Sequence, residues 1–304
     1  MRKAVLDVGS NSVLLLVEER EADGWKPAFE DTRVTSLGEG TKESGVLSEA
    51  AISRTLVGIQ ELWTLAKEHG AEDICAAATM AARIAKNTPD FLARANKQGT
   101  PVSVLPGDEE ARLGFLAIAN DPTFDATRIS IADVGGQSTE LVTAERSDTG
   151  WKFLFRKSFP LGTLGLRGSV LHEEAPPVPA MLKAVQEIDD IFGMCYLRDK
   201  CGEVVTLGAT GTNLISIRDK MTHWDPDVVH GAVLDYEEVS KAVGWMFRMT
   251  DAERAAIVGI EPGREKTLHI GALILERAMY TFRASECRVS VRGWRHALLE
   301  TEGP

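Results

Sequence analysis

The chain has 304 residues, 44% hydrophobic and 26% charged, with a formal net charge of −11. That length and apolar share are enough for two domains with sizeable cores. The acidic balance excludes a generally polyanion-binding surface, so no nucleic-acid partner is expected and an anionic ligand needs a local basic cleft and a metal. No apolar run reaches the roughly 18 residues of a membrane span. The N-terminus arrives at Asp7 without an apolar signal core, which predicts a cytoplasmic protein with no membrane partner.

In chain order, Lys3 to Val8 and Ser12 to Glu18 predict a β-hairpin. The stretch from Gly24 to Gly45 is turn-rich, with a strand expected near Arg33 to Leu37. Ser48 to His69 is the clearest helix: Ser48 suits the N-cap, Ile52, Leu56, Ile59, Leu62 and Ala66 form one stripe, and Gly70 is a stop. A short strand at 73–78 runs into a helix start at 78–83. A short helix follows at 89–96, a strand at 102–105, and a helix from Asp108 to about Asn120. Asp121, Pro122 and Asp125 mark a loop and a domain boundary. The second half repeats the scheme with a hairpin over 129–144 and a strand at 152–159. A Pro-rich connector at 175–179 then leads to a helix expected to reach about Leu197. A strand at 203–207 runs into a small-residue turn at 208–212. Helices are expected at 235–249, 251–258 and 266–282, with a last strand at 287–291. Strands alternate with helices throughout, so the class is α/β. Cys75, Cys195, Cys201 and Cys287 make no CxxC pair and are expected as reduced thiols.

The most informative feature is an internal echo. AVLDVGSNSVLLLV (4–17) aligns without a gap to IADVGGQSTELV and its flanks at an offset of 126. Asp7 matches Asp133, Gly9 matches Gly135, Ser12 matches Ser138, and Asn11 stands where Gln137 stands. One motif used twice predicts two related halves. Each copy is a strand, a tight turn and a returning strand. Glycines at 9, 135 and 136 permit turn angles closed to other residues and a close approach of backbone N–H groups to an anion. Ser12, Ser138 and Thr139 add hydroxyl donors. An aspartate just before each turn can hold Mg²⁺ against phosphate oxygens. Gly208 to Thr212 is a third Gly/Thr turn after an apolar strand.

Asp108, Glu109 and Glu110 open a helix. They suit the helix dipole, and equally a carboxylate aimed at a water as general base. Arg83 reads as a surface charge or an anion clamp. Arg277, Arg283, Arg288, Arg292 and Arg295 crowd the C-terminus, either as a solvated face or as a basic strip that tracks a long polyphosphate.

These pieces resemble the exopolyphosphatase / guanosine pentaphosphate phosphohydrolase family, within the actin, sugar kinase and heat-shock 70 ATPase superfamily. AVLDVGSNS (4–12) resembles its first phosphate loop, ATMAAR (78–83) its Ala-Thr-Ser-Ala-x-Arg segment, and PGDEEARL (106–113) its Ser-Gly-x-Glu-Glu-Ala-Arg helix start. IADVGGQSTELV (131–142) resembles its Asp-x-Gly-Gly-Gly-Ser-Thr-Glu signature, and GATGT (208–212) its third loop. Arg264, Gly271, Ala272, Gly293 and Arg295 match its late elements. The resemblance implies two ribonuclease-H-like domains with a cleft between them, divided as 1–124 and 125–304, with the last helix free to pack back on the first. It implies Glu110 as general base with Glu140 and Arg83 as catalytic partners, and Asp7, Asp133 and Glu140 as Mg²⁺ ligands. Phosphate donors would be Ser10, Asn11, Ser12, Gly135, Gly136, Gln137, Ser138, Thr139, Gly208, Thr210 and Gly211. The implied activity is Mg²⁺-dependent removal of the terminal phosphate of inorganic polyphosphate. The alternatives are the same cleavage of guanosine pentaphosphate, a binding sensor with little turnover, or, more weakly, a sugar or acetate kinase. A homodimer follows from family likeness alone. Two departures bear on substrate choice: Leu14 replaces the family's cationic residue, and Gln137 replaces the signature's third glycine.

Overall fold

The computed structural model describes residues 1–22, 24–193 and 201–301. Cys195 and the expected helical stretch at 194–197 lie outside them. The chain divides into two compact units: Met1–Ala117 together with the C-terminal segment from Trp294, and Ile118–Gly293.

The first unit contains β1 (Arg2–Val8), β2 (Ser12–Glu21), β3 (Gly24–Val34), α1 (Thr41–Ser44), α2 (Glu49–Glu68), β4 (Ala71–Ala78), α3 (Met80–Ile84), α4 (Thr88–Lys97), β5 (Ser103–Val104) and α5 (Gly107–Ala119). Among the described residues its sheet runs β3-β2-β1-β4-β5, antiparallel through β3, β2 and β1 and parallel from β1 outward. The strand expected near 33–37 begins instead at Gly24, because it extends the hairpin as a long third strand beside β2. Ser48 caps α2 by accepting the Ala51 N–H at 3.2 Å, which satisfies one of the donors that every helix start leaves open. The α2 stripe of Ile52, Ile59 and Leu62 is fully buried against Leu6, Val8 and Leu15. Each such side chain contributes about 1.5–3 kcal/mol of burial. The other face of β1 and β2, Val5 and Leu16, is covered by Leu113 and Ala117 of α5 and by Trp294, Ala297 and Leu299. β1 is therefore apolar on both faces, as a strand between two helical layers must be.

The second unit contains β6 (Arg128–Val134), β7 (Thr139–Ser147), β8 (Gly150–Phe159), α6 (Thr163–Gly168), α7 (Val178–Phe192), β9 (Glu203–Leu207), α8 (Ala209–Arg218), α9 (Pro226–Val229), β10 (Val233–Asp235), α10 (Tyr236–Met246), α11 (Asp251–Ala255), α12 (Leu268–Phe282) and β11 (Glu286–Val289). Helix α13 (Trp294–Thr301) returns to the first unit. The second sheet runs β10-β11-β9-β6-β7-β8 among the described residues. Its β6, β7, β8 and β9 repeat the directions of β1, β2, β3 and β4. The repetition extends to a register shift. β2 and β3 slip between Val17 and Glu18, and β7 and β8 slip at the equivalent place, between Thr143 and Ala144. The small-residue stretch at 208–212 forms the start of α8 rather than an extended turn, with only Gly208 left-handed (φ 80°) ahead of it.

Arg254 holds the helical side of this unit together. Its side chain is fully buried and donates to the carbonyls of Glu265 at 2.6 Å, Met246 at 2.9 Å, Met249 at 2.6 Å and Glu174 at 2.9 Å, and to Asp251. Arg167 reaches the other oxygen of Asp251 at 2.8 Å. His269, fully buried nearby, lies edge-on to Phe247, with ring centroids 4.9 Å apart. Burial, followed by the charges of Arg254 and Arg167, pushes its pKa down to about 2, so it is a neutral core ring. Cys75, Cys201 and Cys287 are not in disulfides, and burial pushes Cys287 up to about 12. No helix among the described residues is long and apolar enough to cross a membrane.

Replacing Arg254 by Met leaves one oxygen of Asp251 and four carbonyls without their donor. The expected cost is about 3–5 kcal/mol, the range for breaking a buried charged pair. Arg167→Gln removes fewer contacts and should cost less; denaturant melts of the two variants test the ranking.

Candidate active site

The two glycine turns close in the same way. Gly9 N–H donates to the Ser12 carbonyl at 2.9 Å, and Gly135 N–H to the Ser138 carbonyl at 2.9 Å. The reason for glycine differs from the expectation. Neither residue has a positive φ; instead, a Cβ on Gly9 would lie 3.0 Å from the Ser12 carbonyl oxygen, and one on Gly135 2.9 Å from that of Ser138. Close approach of the returning strand, not backbone handedness, requires glycine at both places.

In the first unit, Ser10, Asn11 and Ser12 are all buried. The Ser10 hydroxyl accepts the Ala81 N–H at 3.2 Å, which ties the turn to the start of α3. The Asn11 side-chain nitrogen and the Ser12 hydroxyl have no hydrogen-bond partner among the described residues. A buried polar atom left so is costly and calls for a ligand. Asp7, at the end of β1, faces the Arg295 guanidinium of α13 at 3.9 Å. Sequence reasoning placed Arg295 only by family likeness; its pairing with Asp7 depends on how α13 returns to this unit.

The same unit joins Arg83 and Glu110. Arg83 of α3 donates to the Leu105 carbonyl at 2.8 Å and to Glu110 Oε2 at 2.6 Å. Both side chains are largely buried, and Arg83 Nη2 has no hydrogen-bond partner among the described residues. The three acids that open α5 thus divide their roles. Asp108 is exposed, Glu109 forms a two-pronged pair with Arg112 at 2.6 and 2.8 Å, and Glu110 points inward. Burial raises the Glu110 pKa, opposed by the charge and hydrogen bond of Arg83. Ionising Glu110 therefore costs stability as pH rises through its folded value, and Arg83 reduces that cost.

In the second unit, Asp133 and Glu140 stand opposite each other in the β6–β7 register. Glu140 is buried and accepts the Ser158 hydroxyl at 2.6 Å, a contact the sequence reading did not include. Gly208 lies against this pair, since a Cβ there would be 3.1 Å from Asp133 Oδ1. The signature turn is braced from outside by Thr163 N–H to the Gly135 carbonyl at 3.0 Å and Leu164 N–H to the Gly136 carbonyl at 2.7 Å. Gln137 and Ser138 are buried in it. The Thr139 hydroxyl proton is used within the fold, on the Leu161 carbonyl at 2.7 Å. Thr210 and Gly211 lie in the first turn of α8. A Cβ on Gly211 would come 2.6 Å from Thr206 Cγ2, and one on Gly271 2.4 Å from Thr210 Oγ1, so both positions carry helix packing.

Among the described residues no three metal-ligating side chains converge on one point. Mg²⁺ is commonly held by one or two carboxylates plus waters and phosphate oxygens. The hard-oxygen pair of half-buried Asp133 and buried Glu140 fits that chemistry. The C-terminal arginines do not form a free strip. Arg277 is bound to Asp189 by two 2.7 Å contacts, Arg288 lies 3.2 Å from Glu203, Arg292 3.6 Å from Asp121, and Arg295 pairs with Asp7. These four arise from two helices, a strand and a loop, and each is spent on its own carboxylate.

Gly162 is the most constrained brace, because a Cβ there would sit 2.4 Å from the Gln137 nitrogen. Gly162→Ala should cost about 1–3 kcal/mol, as overpacking does. Amide exchange should accelerate at Gly136 to Ser138 while the first unit's amides keep their protection, which hydrogen-exchange mass spectrometry would report.

Comparison with known proteins identifies relatives of the whole chain. The chain is 29% identical over 290 residues to Exopolyphosphatase 1 of Mycobacterium tuberculosis, covering 92% of this chain and 81% of that protein. The crystal structure of the Aquifex aeolicus Ppx/GppA family member superposes with a TM-score of 0.80 at 29% identity, over 99% of this chain and 97% of the other. An exopolyphosphatase structure from Cytophaga hutchinsonii has a TM-score of 0.86 over 99% and 97% of the two chains; at 18% identity it speaks for the fold. The fold is that of Ppx/GppA structures with two actin-like domains. The Ppx/GppA phosphatase family model matches residues 16–302, and the chain belongs to that family.

Proposed function

We propose that this chain is an exopolyphosphatase, a hydrolase that removes orthophosphate from the end of inorganic polyphosphate. The observation that carries the reading is the buried Arg83–Glu110 pair. It sets a carboxylate whose pKa burial raises beside a guanidinium with one nitrogen unused. Ionised Glu110 orients a water and takes its proton as the water oxygen attacks the terminal phosphorus. The bridging P–O bond breaks, and its electron pair leaves with the shortened chain. Arg83 Nη2 stabilises the charge that gathers on the equatorial oxygens. Asn11 and Ser12 supply further donors from the first turn. Asp133 and Glu140 would hold Mg²⁺, which would neutralise phosphate charge when bound. The relatives named exopolyphosphatase, aligned over nine-tenths of the chain, support the substrate class.

Phosphate release from polyphosphate, with guanosine pentaphosphate as a parallel substrate, tests the reading. Glu110→Gln should lower kcat about 10²–10⁴-fold, the usual worth of a general base. Equal release by both proteins would remove Glu110 from the role. Tight polyphosphate binding with no release by the wild type would replace turnover with sensing. Chelation by EDTA should abolish release, and added Mg²⁺ should restore it. The acid limb of the pH–rate profile should have its midpoint above the ordinary glutamate value of 4.5. Arg83→Gln should move that midpoint higher still, because the charge that favours ionised Glu110 is gone.

A further inference from the structure

The internal repeat supplies its own control for surface charge. Along the edge strands the offset of 126 continues: Gly24, Trp25, Lys26 and Phe29 of β3 match Gly150, Trp151, Lys152 and Phe155 of β8. The two strands also share the register slip described above. At the next two positions the copies part in sign. Glu30 and Asp31 of β3 stand where β8 has Arg156 and Lys157. Charge on an edge strand commonly serves to block pairing with another sheet, and either sign serves that purpose. The reversal therefore needs another cause.

The two copies also differ in compensation. On β3, Glu30 lies 3.6 Å from His296, Asp31 2.9 Å from Arg33, and Lys26 2.8 Å from Glu21. On β8 and the adjoining end of β7, Arg146, Lys152, Arg156 and Lys157 are exposed, and none makes a side-chain ion pair or hydrogen bond among the described residues. The acids of this stretch are Glu145, bound to Arg128 at 2.7 Å, and Asp148 in the β7–β8 turn. Three of the four cations lie over rings: Arg146 over Trp151 at 5.1 Å, Arg156 over Phe153 at 5.1 Å, and Lys157 over Phe159 at 4.6 Å. A guanidinium laid on a ring is held in place while its N–H edge stays available to an anion. In a chain of net charge −11, four uncompensated cations on β8 and its neighbour β7 form a local field that favours an anionic partner.

The strand also leads to the proposed site. Ser158, next to Lys157, donates to Glu140, and Phe159 stands opposite Thr139 at the end of the signature turn. Trp151 is seven residues back along the strand, roughly 20 Å at the usual strand rise. A ligand touching both the turn and Arg146 must be a chain of several phosphates, not a single end group.

We propose that the β8 edge is a holding track for the distal part of a polyphosphate chain, through Arg156, Lys157, Lys152 and Arg146. This rests on the exopolyphosphatase reading and gives it a preference for long chains. The test uses the full-length protein carrying Glu110→Gln, so that binding is read without turnover. Two variants are added to it. One has Arg146, Lys152, Arg156 and Lys157 all replaced by Gln. The other has Arg156→Glu with Lys157→Asp, the side chains that the first repeat carries at these positions. Affinities are measured by calorimetry for long-chain polyphosphate, for tripolyphosphate and for a single-stranded oligonucleotide, at two salt concentrations.

The ratio of long-chain to tripolyphosphate affinity should fall about tenfold or more in both variants, with a shallower salt dependence, as expected when phosphate contacts are lost. An unchanged ratio overturns the track, and so does an equal loss for both polyphosphates. An oligonucleotide that binds as tightly as long-chain polyphosphate and loses as much overturns the substrate assignment of the track. The exopolyphosphatase reading fails separately, if the unsubstituted protein releases no phosphate from any polyphosphate.

Discussion

The constraint on which the rest depends is the 2.9 Å contact from a glycine N–H to a serine carbonyl, made once in each unit. It brings the returning strand so close that a side chain on the glycine would collide with it. The turn therefore stays tight, and the aspartate before it is carried to the end of its strand. β1 and β6 are each paired on both sides, by an antiparallel and a parallel neighbour, so this terminus has little freedom. A rigid turn of this kind orders its donors before any ligand arrives, and pre-ordered dipoles are the main source of transition-state stabilisation in phosphoryl transfer.

The two turns are not equivalent in chemistry. In the second, the position opposite Asp133 is Glu140; in the first, the position opposite Asp7 is Leu14. The first unit instead answers its aspartate with Arg295 and carries a second carboxylate, Glu110, on α5 beside Arg83. Duplication supplied one frame twice, and substitution assigned different tasks to its copies. The same divergence shows at the edge strands, where a paired acidic couple in one copy faces an unpaired basic couple in the other. Burial decides the character of Glu110: an exposed carboxylate at that place would only complement the helix dipole, while burial raises the pKa of this one against the pull of Arg83.

Much of the fold was legible because it is written in short-range patterns. The hairpins, the capped helix α2 and the alternation of strand and helix all follow from periodicity and from glycine and serine placement. Elements without a long periodic pattern were harder to read. β3 was expected to start nine residues late, because Pro27 and the mixed charges of this edge strand conceal its alternation. The small residues at 208–212 read as a turn because their packing against Val289 and Gly271, which requires small side chains, lies far away in sequence.

The sequence by itself determined the α/β class, the repeated turn and the family, and it singled out Asp7, Asp133, Glu140 and Glu110 as candidates. Each of these depends on residues near one another in the chain or on a pattern spread along it. Only the tertiary structure decided which charges are spent and which are free. It committed four C-terminal arginines to carboxylates, joined Arg83 to Glu110 across 27 residues, and left the β8 cations without partners. An ion pair is a matter of a few ångströms in space, and sequence separation says nothing about that distance.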